Sequence, residues 1–368
     1  MTHWSNKNEV FELVATESDE EKSGKENSDQ SLVADAARPP GKPRSKDRRN
    51  KLVNNLAYRY GLVFLWLALI VLFGALRPAS FLTVANFGVM FGSQASTIIL
   101  ALALVVTLSV GEFDLSVAST LGLTATIIAV LNGQDHWPIL VAIIVGVASG
   151  VLVGAINGLM VVFLGIDGIV ITLGMATLVL GVAIWFSQEQ SIGGVSIGFT
   201  NSMIYPIFGV SVAFYYALAI AAIVWYILRR TPLGRHMLFI GHNREVARLV
   251  GIPVNRIRFG AFVFGGLISA IAGVLTVGLS GGFLADSSQG LLLPAFAAAF
   301  LGAAVIVPGR FNAWGTVVAI LFLVTGITGL ELLGLAGTAW ISQVFYGGAL
   351  IAAVTISSLL GKNRDAGM

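Results

Sequence analysis

The 368-residue chain contains no cysteine, only four histidines and few charges, with Asp, Glu, Lys and Arg together making 11% of it. Without cysteine there is no disulfide, no thiol catalysis and no cysteine-bound zinc or iron–sulfur site. The histidines, His3, His136, His236 and His242, sit in the N-terminal tail or in loops, at spacings that no metal-binding helix uses. The phosphate-cradling glycine loop of an ATPase is missing as well, because the three Gly-Lys pairs run on into Glu26, Pro43 and Asn363 rather than a hydroxyl residue. A serine hydrolase of the membrane would need an activating base inside an apolar segment, and those segments hold none. The chain is therefore expected to be no enzyme and to need no cofactor or metal.

What is present is apolar surface. Hydrophobic residues make 56% of the chain and the mean hydropathy is +0.86, which leaves too little polar surface for a water-soluble globule of this size and makes the bilayer the intended solvent. The formal charge of +3 does not point to nucleic acid, since the basic residues flank apolar stretches or fill short loops, where membrane topology accounts for them.

The polar segment 1–58 is acidic over 17–30 and basic over 42–51, with Pro39, Pro40 and Pro43 between. It reads as a disordered cytoplasmic tail, a solvated extension rather than a docking module. It has no signal-peptide pattern, so the first apolar run is expected to stay as an anchor.

Residues 59–361 read as an all-α transmembrane domain. At about 17–25 apolar residues per crossing, ten spans are expected near 60–76, 87–110, 115–132, 138–164, 168–186, 206–228, 259–280, 291–308, 314–330 and 338–360. Gly92, Ser93, Gln94 and Ser96 break the second. Ten is an even number, so both termini share a side, and the Lys/Arg bias makes that side cytoplasmic. The basic residues fall in the tail, in the loop 229–258, at Arg310 and in the C-terminal segment 362–368, leaving only Arg77 outside. The fourth span carries Gly146, Gly150, Gly154 and Gly158 at four-residue spacing, a ridge for close helix packing. Gly111-Glu112-Phe113-Asp114-Leu115-Ser116 and Gly282-Phe283-Leu284-Ala285-Asp286-Ser287 share an acidic, glycine-flanked form that fits two related halves.

None of the ten spans contains Asp, Glu, Lys, Arg or His. Proton-driven carriers use such groups as relays, so a proton symporter is disfavoured and a neutral solute suits the pathway; ion coupling through carbonyls and hydroxyls, as in a sodium-driven secondary transporter, stays open as the alternative. Gln94, Asp114, Ser116, Asn157 and Asp286 are the polar candidates for that pathway, each with a plainer reading as a cap or an interhelical hydrogen bond. Trp185, Phe186, Trp340, Phe345 and Tyr346 lie near span ends, as an interfacial belt would place them.

The loop from Thr231 to Pro253 is punctuated like two short helices: Thr231-Pro232 starts one, Asn243 caps another, Gly251 suits the left-handed residue that ends it, and Pro253 blocks continuation. Between the caps, Val246, Leu249 and Val250 form an apolar stripe, with Arg244, Glu245 and Arg248 on other faces. Physics alone leaves two uses for it, lying on headgroups or docking into a groove on a partner protein.

This loop resembles the ATPase-coupling segment of the branched-chain and sugar permease family of ATP-binding-cassette (ABC) importers, of ribose, xylose and arabinose type. The family pattern is matched by Thr231, Gly234, Arg235, Gly241, Asn243, Ala247, Arg248, Leu249, Gly251 and Ile252. The family's Gly-Gly-Ile-Asp-Leu-Ser-Val-Gly-Ser turn is similar to residues 111–119, where Glu112 and Ala118 depart from it. The resemblance spans about residues 60–360. It implies a homodimeric pathway, two ATPase subunits gripping the loops through Arg244 and Val246 besides the matched residues, a periplasmic binding protein that delivers a sugar, and alternating access in the bacterial inner membrane.

Overall fold

The computed structural model describes residues 45–307, 309–334 and 339–365; the expected tail up to residue 44 and the last three residues lie outside the described residues. The chain divides into Met1–Asn55 and Leu56–Met368; of the first body only the start of a helix is described.

The described residues of the second body are mainly helical, with one small hairpin and an isolated bridge between Ile192 and Phe283. In chain order the helices are α1 Ser45–Leu76, α2 Pro78–Phe81, α3 Val84–Gly92, α4 Ala95–Ser109, α5 Val117–Ile128, α6 Ile139–Gly158, α7 Gly168–Ser187, α8 Ile197–Ile204, α9 Val212–Arg230, α10 Pro232–His242, α11 Arg244–Leu249, α12 Val254–Ser280, α13 Leu292–Ala303, α14 Ala313–Leu332 and α15 Ala339–Asp365. Wide π turns extend α5 and α6, over Ala129–Gln134 and Leu159–Phe163, and a 3-10 segment, Ala285–Leu291, precedes α13.

Seven helical stretches among the described residues are long and apolar enough to cross a bilayer, and Tyr60–Leu76 and Trp340–Thr355 are shorter apolar helices. With α13 these occupy the ten places expected from hydropathy, but the eighth place holds only a 12-residue helix. Irregular backbone here is tolerable because it is packed in protein: the Gln289 side chain donates to Ser119 Oγ at 2.9 Å, and Gly122 lies directly under Ser288.

The break in the second span is a kink. Ser93 and Gln94 keep right-handed backbone, but Gln94 N–H donates to Phe91 O at 3.1 Å, three residues back, instead of four. The sixth span starts later than hydropathy suggests, because Phe208 and Gly209 both take positive φ. They close a two-residue hairpin between Pro206–Ile207 and Val210–Ser211, the geometry that a primed turn demands.

At the centre stands α4, whose residues are all buried. Its small and aliphatic side chains are enclosed by α12, α13, α9 and α14. By contrast only 28% of the Ile139–Phe163 span and 22% of Gly168–Ser187 are buried within the chain, against 78% of Val84–Ser109, so α6 and α7 form the outer wall. The glycine ridge of α6 packs as expected. A Cβ on Gly150 would sit 2.6 Å from Ala270 Cβ, and one on Gly154 would strike the Phe262 carbonyl. The α6 and α12 backbones therefore touch, and dispersion replaces the hydrophobic effect that lipid cannot supply. On the far side Trp66 Nε1 donates to Thr325 Oγ1 at 2.9 Å, joining α1 to α14. Of the expected belt aromatics, Trp185 and Trp340 are exposed, whereas Phe345 packs inward on Phe322 and Gly326.

Candidate functional site

The loop expected to couple to an ATPase folds as its punctuation dictates. The Thr231 hydroxyl accepts from Gly234 N–H at 3.2 Å and donates to Ile227 O at 2.7 Å, and Pro232 follows it, so α10 starts at once from the end of α9. Gly234 is pressed onto the Leu228 backbone with no room for a side chain. At the other end of α10 a Cβ on Gly241 would meet the Ser109 carbonyl at 2.5 Å, so the loop rests on the end of the central helix α4. Asn243 Oδ1 then accepts from the N–H groups of Glu245 and Val246, both at 3.1 Å, and caps α11. Gly251, at φ +80°, closes it as Ile252 N–H donates back to Ala247 O at 3.1 Å.

The six-residue α11 presents two faces. Ala247 is fully buried against the body, while Leu249 is 85%, Val250 62% and Val246 40% exposed. Arg235 is exposed and borders a cavity of about 360 Å³ shared with Arg229 and Arg310. Arg248 donates to Glu245 at 3.0 Å on the surface, a pair that solvent makes weak. Arg244 turns inward: its Nη2 lies 2.7 Å from Glu112 Oε1 and donates to Gly111 O at 2.8 Å.

Glu112 receives a second guanidinium, since Arg258 Nε donates to the same Oε1 at 2.6 Å. Glu112 is 4% and Arg258 8% exposed. Burying these charges is tolerable only because the carboxylate is held on two sides. Arg258 escaped the sequence reading because it was assigned to a loop; α12 begins at Val254, five residues before the expected span, and carries the arginine into the body. The signal that could have found it was the departure of Glu112 from the glycine of the family turn.

Directly after Glu112, the Asp114 carboxylate accepts from Ser116 N–H at 3.0 Å and from its hydroxyl at 2.6 Å. Asn157 Nδ2 of α6 donates to Ser116 Oγ at 2.8 Å. The plainer reading of Asp114 as a helix cap thus becomes a local turn ahead of α5, which starts at Val117. Leu115 N–H donates to Thr172 Oγ1 of α7 at 3.1 Å. Burial pushes the Asp114 carboxyl above the usual carboxylate range, with the two Ser116 hydrogen bonds pulling the other way. Asn157 Oδ1 is buried and finds no hydrogen-bond partner among the described residues.

Asp114, Ser116 and Asn157 therefore form one cluster under the arginine-rich loop, and the other two pathway candidates stand apart from it. Asp286 is exposed on the 3-10 segment. Gln94 donates to Ser93 Oγ at 3.1 Å, and Ser93 borders a concavity of about 730 Å³ at the end remote from the arginines. Six hydroxyls line it, from Ser93, Ser96, Thr97, Ser211, Thr276 and Ser280, and Ser211 Oγ has no partner among the described residues. Single hydroxyls scattered over four elements carry no sequence pattern, so the concavity was not legible before the fold.

Residues 86–354 match the family described as branched-chain amino acid transport system / permease component. The chain belongs to this permease family. The resemblance first seen in its loop and its acidic turn is borne out. The permease is 30% identical over 304 residues to the D-allose transport system permease protein AlsC of Escherichia coli K12, covering 83% of this chain and 93% of that one. It is 31% identical over 318 residues to the autoinducer 2 import system permease protein LsrD of Photorhabdus laumondii, and 32% identical over 314 residues to LsrD of Yersinia pseudotuberculosis, with the same shares covered. No solved structure matches the permease at a significant level. It is a multi-pass membrane transport subunit and not itself an enzyme.

Proposed function

We propose that the permease is the membrane subunit of an ABC importer that carries a monosaccharide or a related neutral polyol across the bacterial inner membrane. The observation that carries this reading is α11, a helix capped at both ends, seated on the body through Ala247 and presenting Val246, Leu249 and Val250 outward. An apolar stripe on a rigid, arginine-flanked perch is what a groove on an ATPase would grip. A helix this short buries too little area for the membrane surface to hold it well.

In this reading the arginine-rich end faces the cytoplasm, both termini lie there, and two copies of the permease frame the pathway. Two ATPase subunits engage residues 234–251, and a periplasmic binding protein delivers solute to the opposite end. The concavity of hydroxyls at that end suits a polyol, since hydroxyls both donate and accept and the residues lining it carry no charge. ATP binding closes the ATPases, the loops move with them, and the cavity between the two copies changes the side on which it is open.

The test is reconstitution of the permease in liposomes with its cognate ATPase and binding protein. ATP hydrolysis should rise when the binding protein is loaded with D-allose or a related sugar, and uptake should require ATP. Uptake by the permease alone, driven by a sodium or proton gradient, would replace this reading with that of a secondary transporter.

A further inference from the structure

Glu112 is one of the two positions at which residues 111–119 depart from the family turn they resemble, and it is a buried carboxylate that two arginines meet at the arginine-rich end. Its carboxylate joins the α4–α5 turn to two consecutive elements, α11 and α12, that lie more than 130 residues further along the chain. Arg244 is the first residue of α11, the exposed helix. Arg258 stands in the first turns of α12, whose backbone lies against the α6 glycine ridge. Glu112 itself belongs to the turn that leads from α4 into α5, and a Cβ on Gly168 at the start of α7 would be 3.2 Å from its Oε2. Two residues on, Asp114 and Ser116 carry the connection to Asn157 of α6, and Leu115 carries it to Thr172 of α7.

α11 has little other hold on the body. It is six residues long, its outward face is apolar and exposed, and among the described residues Arg248 pairs with Glu245 of the same helix. Buried Ala247 and the Arg244 guanidinium are its main anchors, and Arg244 ends on Glu112 and on the neighbouring Gly111 carbonyl. A displacement of α11 by a partner must therefore either break this pair or pull the 111–116 turn with it. Breaking it would leave the buried Glu112 carboxylate with only Arg258 of its two guanidiniums, so movement of the turn with the helix keeps that buried charge better compensated.

We infer that Glu112 is a positioning residue for transport, the joint through which movement of α11 is passed to the α4–α5 turn and on to the helices α6 and α7. The inference rests on the proposed ABC importer reading. A neutral residue at this place lets the loop move without the turn, so ATP turnover and access to the pathway become uncoupled.

Because the chain has no cysteine, the substitution Ser280→Cys, on the rim of the hydroxyl concavity, reports access at the far end. The full complex in liposomes is treated with a membrane-impermeant maleimide, with and without ATP plus vanadate, and only complexes that trap nucleotide are compared. In the parent, nucleotide should change the labelling rate at least about fivefold, the lower end of usual coupling factors. Glu112→Gln should reduce that change to less than twofold, Glu112→Asp should restore part of it, and Arg244→Gln should act like Glu112→Gln. The double variant should be no worse than either single one, since both remove the same link. A full nucleotide response in Glu112→Gln overturns the inference. If Glu112→Gln does not insert, Arg244→Gln decides, because Arg244 is partly exposed and its loss leaves the Glu112–Arg258 pair standing. A parent that neither binds the ATPase nor responds to nucleotide refutes the importer reading instead.

Discussion

Replacing Val246 and Leu249 together by Asp tests the coupling role of α11 at the point where it is most exposed. Full burial of a Val or Leu side chain contributes about 1.5–3 kcal/mol. Scaled by the present exposure of 40% and 85%, the two side chains have about 2–4 kcal/mol left to gain from a groove on an ATPase. Losing that gain weakens association by about 30- to 700-fold at 1.4 kcal/mol per factor of ten. The new carboxylates add a desolvation penalty wherever the groove is dry, so the drop should be at least about a hundredfold. Both side chains point away from the body, and surface changes of this kind usually stay within about 0.5 kcal/mol of folding stability. The assay is titration of the nanodisc-embedded permease with its ATPase, alongside the melting temperature of the permease alone. The expected result is lost ATPase binding with melting unchanged. ATPase binding indistinguishable from that of the parent would refute the reasoning.

Two further changes address the body of the permease. Gly154→Leu forces a branched side chain against the Phe262 carbonyl and Val263 Cα; it should destabilise the α6–α12 contact by at least about 1–3 kcal/mol, visible as a lower melting temperature, whereas Gly181→Leu on α7, where an added Cβ meets nothing within 4 Å, should melt like the parent. For Asp114 the folded-state pKa is raised, so its contribution to stability is present below the unfolded value near roughly pH 4 and is lost as pH rises through the raised folded value. Asp114→Asn keeps an acceptor for Ser116 and removes the titration, so its melting temperature should vary less with pH above that point; a profile that parallels the parent's would show that Asp114 is not the group responsible.

Much of the architecture was legible because a bilayer leaves few choices. Every backbone group must be satisfied within the chain, so apolar runs of sufficient length become helices, and the positions of nearly all of them follow from hydropathy. The loop helices were legible for a different reason, since caps act within four residues and Thr231, Asn243 and Gly251 each satisfy or release backbone groups beside themselves. The same locality explains the misses. Phe208-Gly209 turns a hairpin where hydropathy alone reads a continuing helix, and the segment after Gly282 runs as 3-10 backbone because α5 offers it Ser119 and a bare Gly122 to pack on.

Composition and short-range spacing decide the solvent, the helical class, the absence of an ATPase loop, the capped exposed helix and the glycine ridge, so each of these can be read along the chain. It takes the packed fold to bring Arg244 and Arg258 to one oxygen of Glu112 across separations of 132 and 146 residues, to line one concavity with the hydroxyls of the 93–97, 211 and 276–280 segments, and to make the acidic turn and the arginine loop a single site. Contacts of that kind depend on which helices become neighbours. That choice is made by close packing of the α6, α12 and α4 surfaces and not by any signal along the chain.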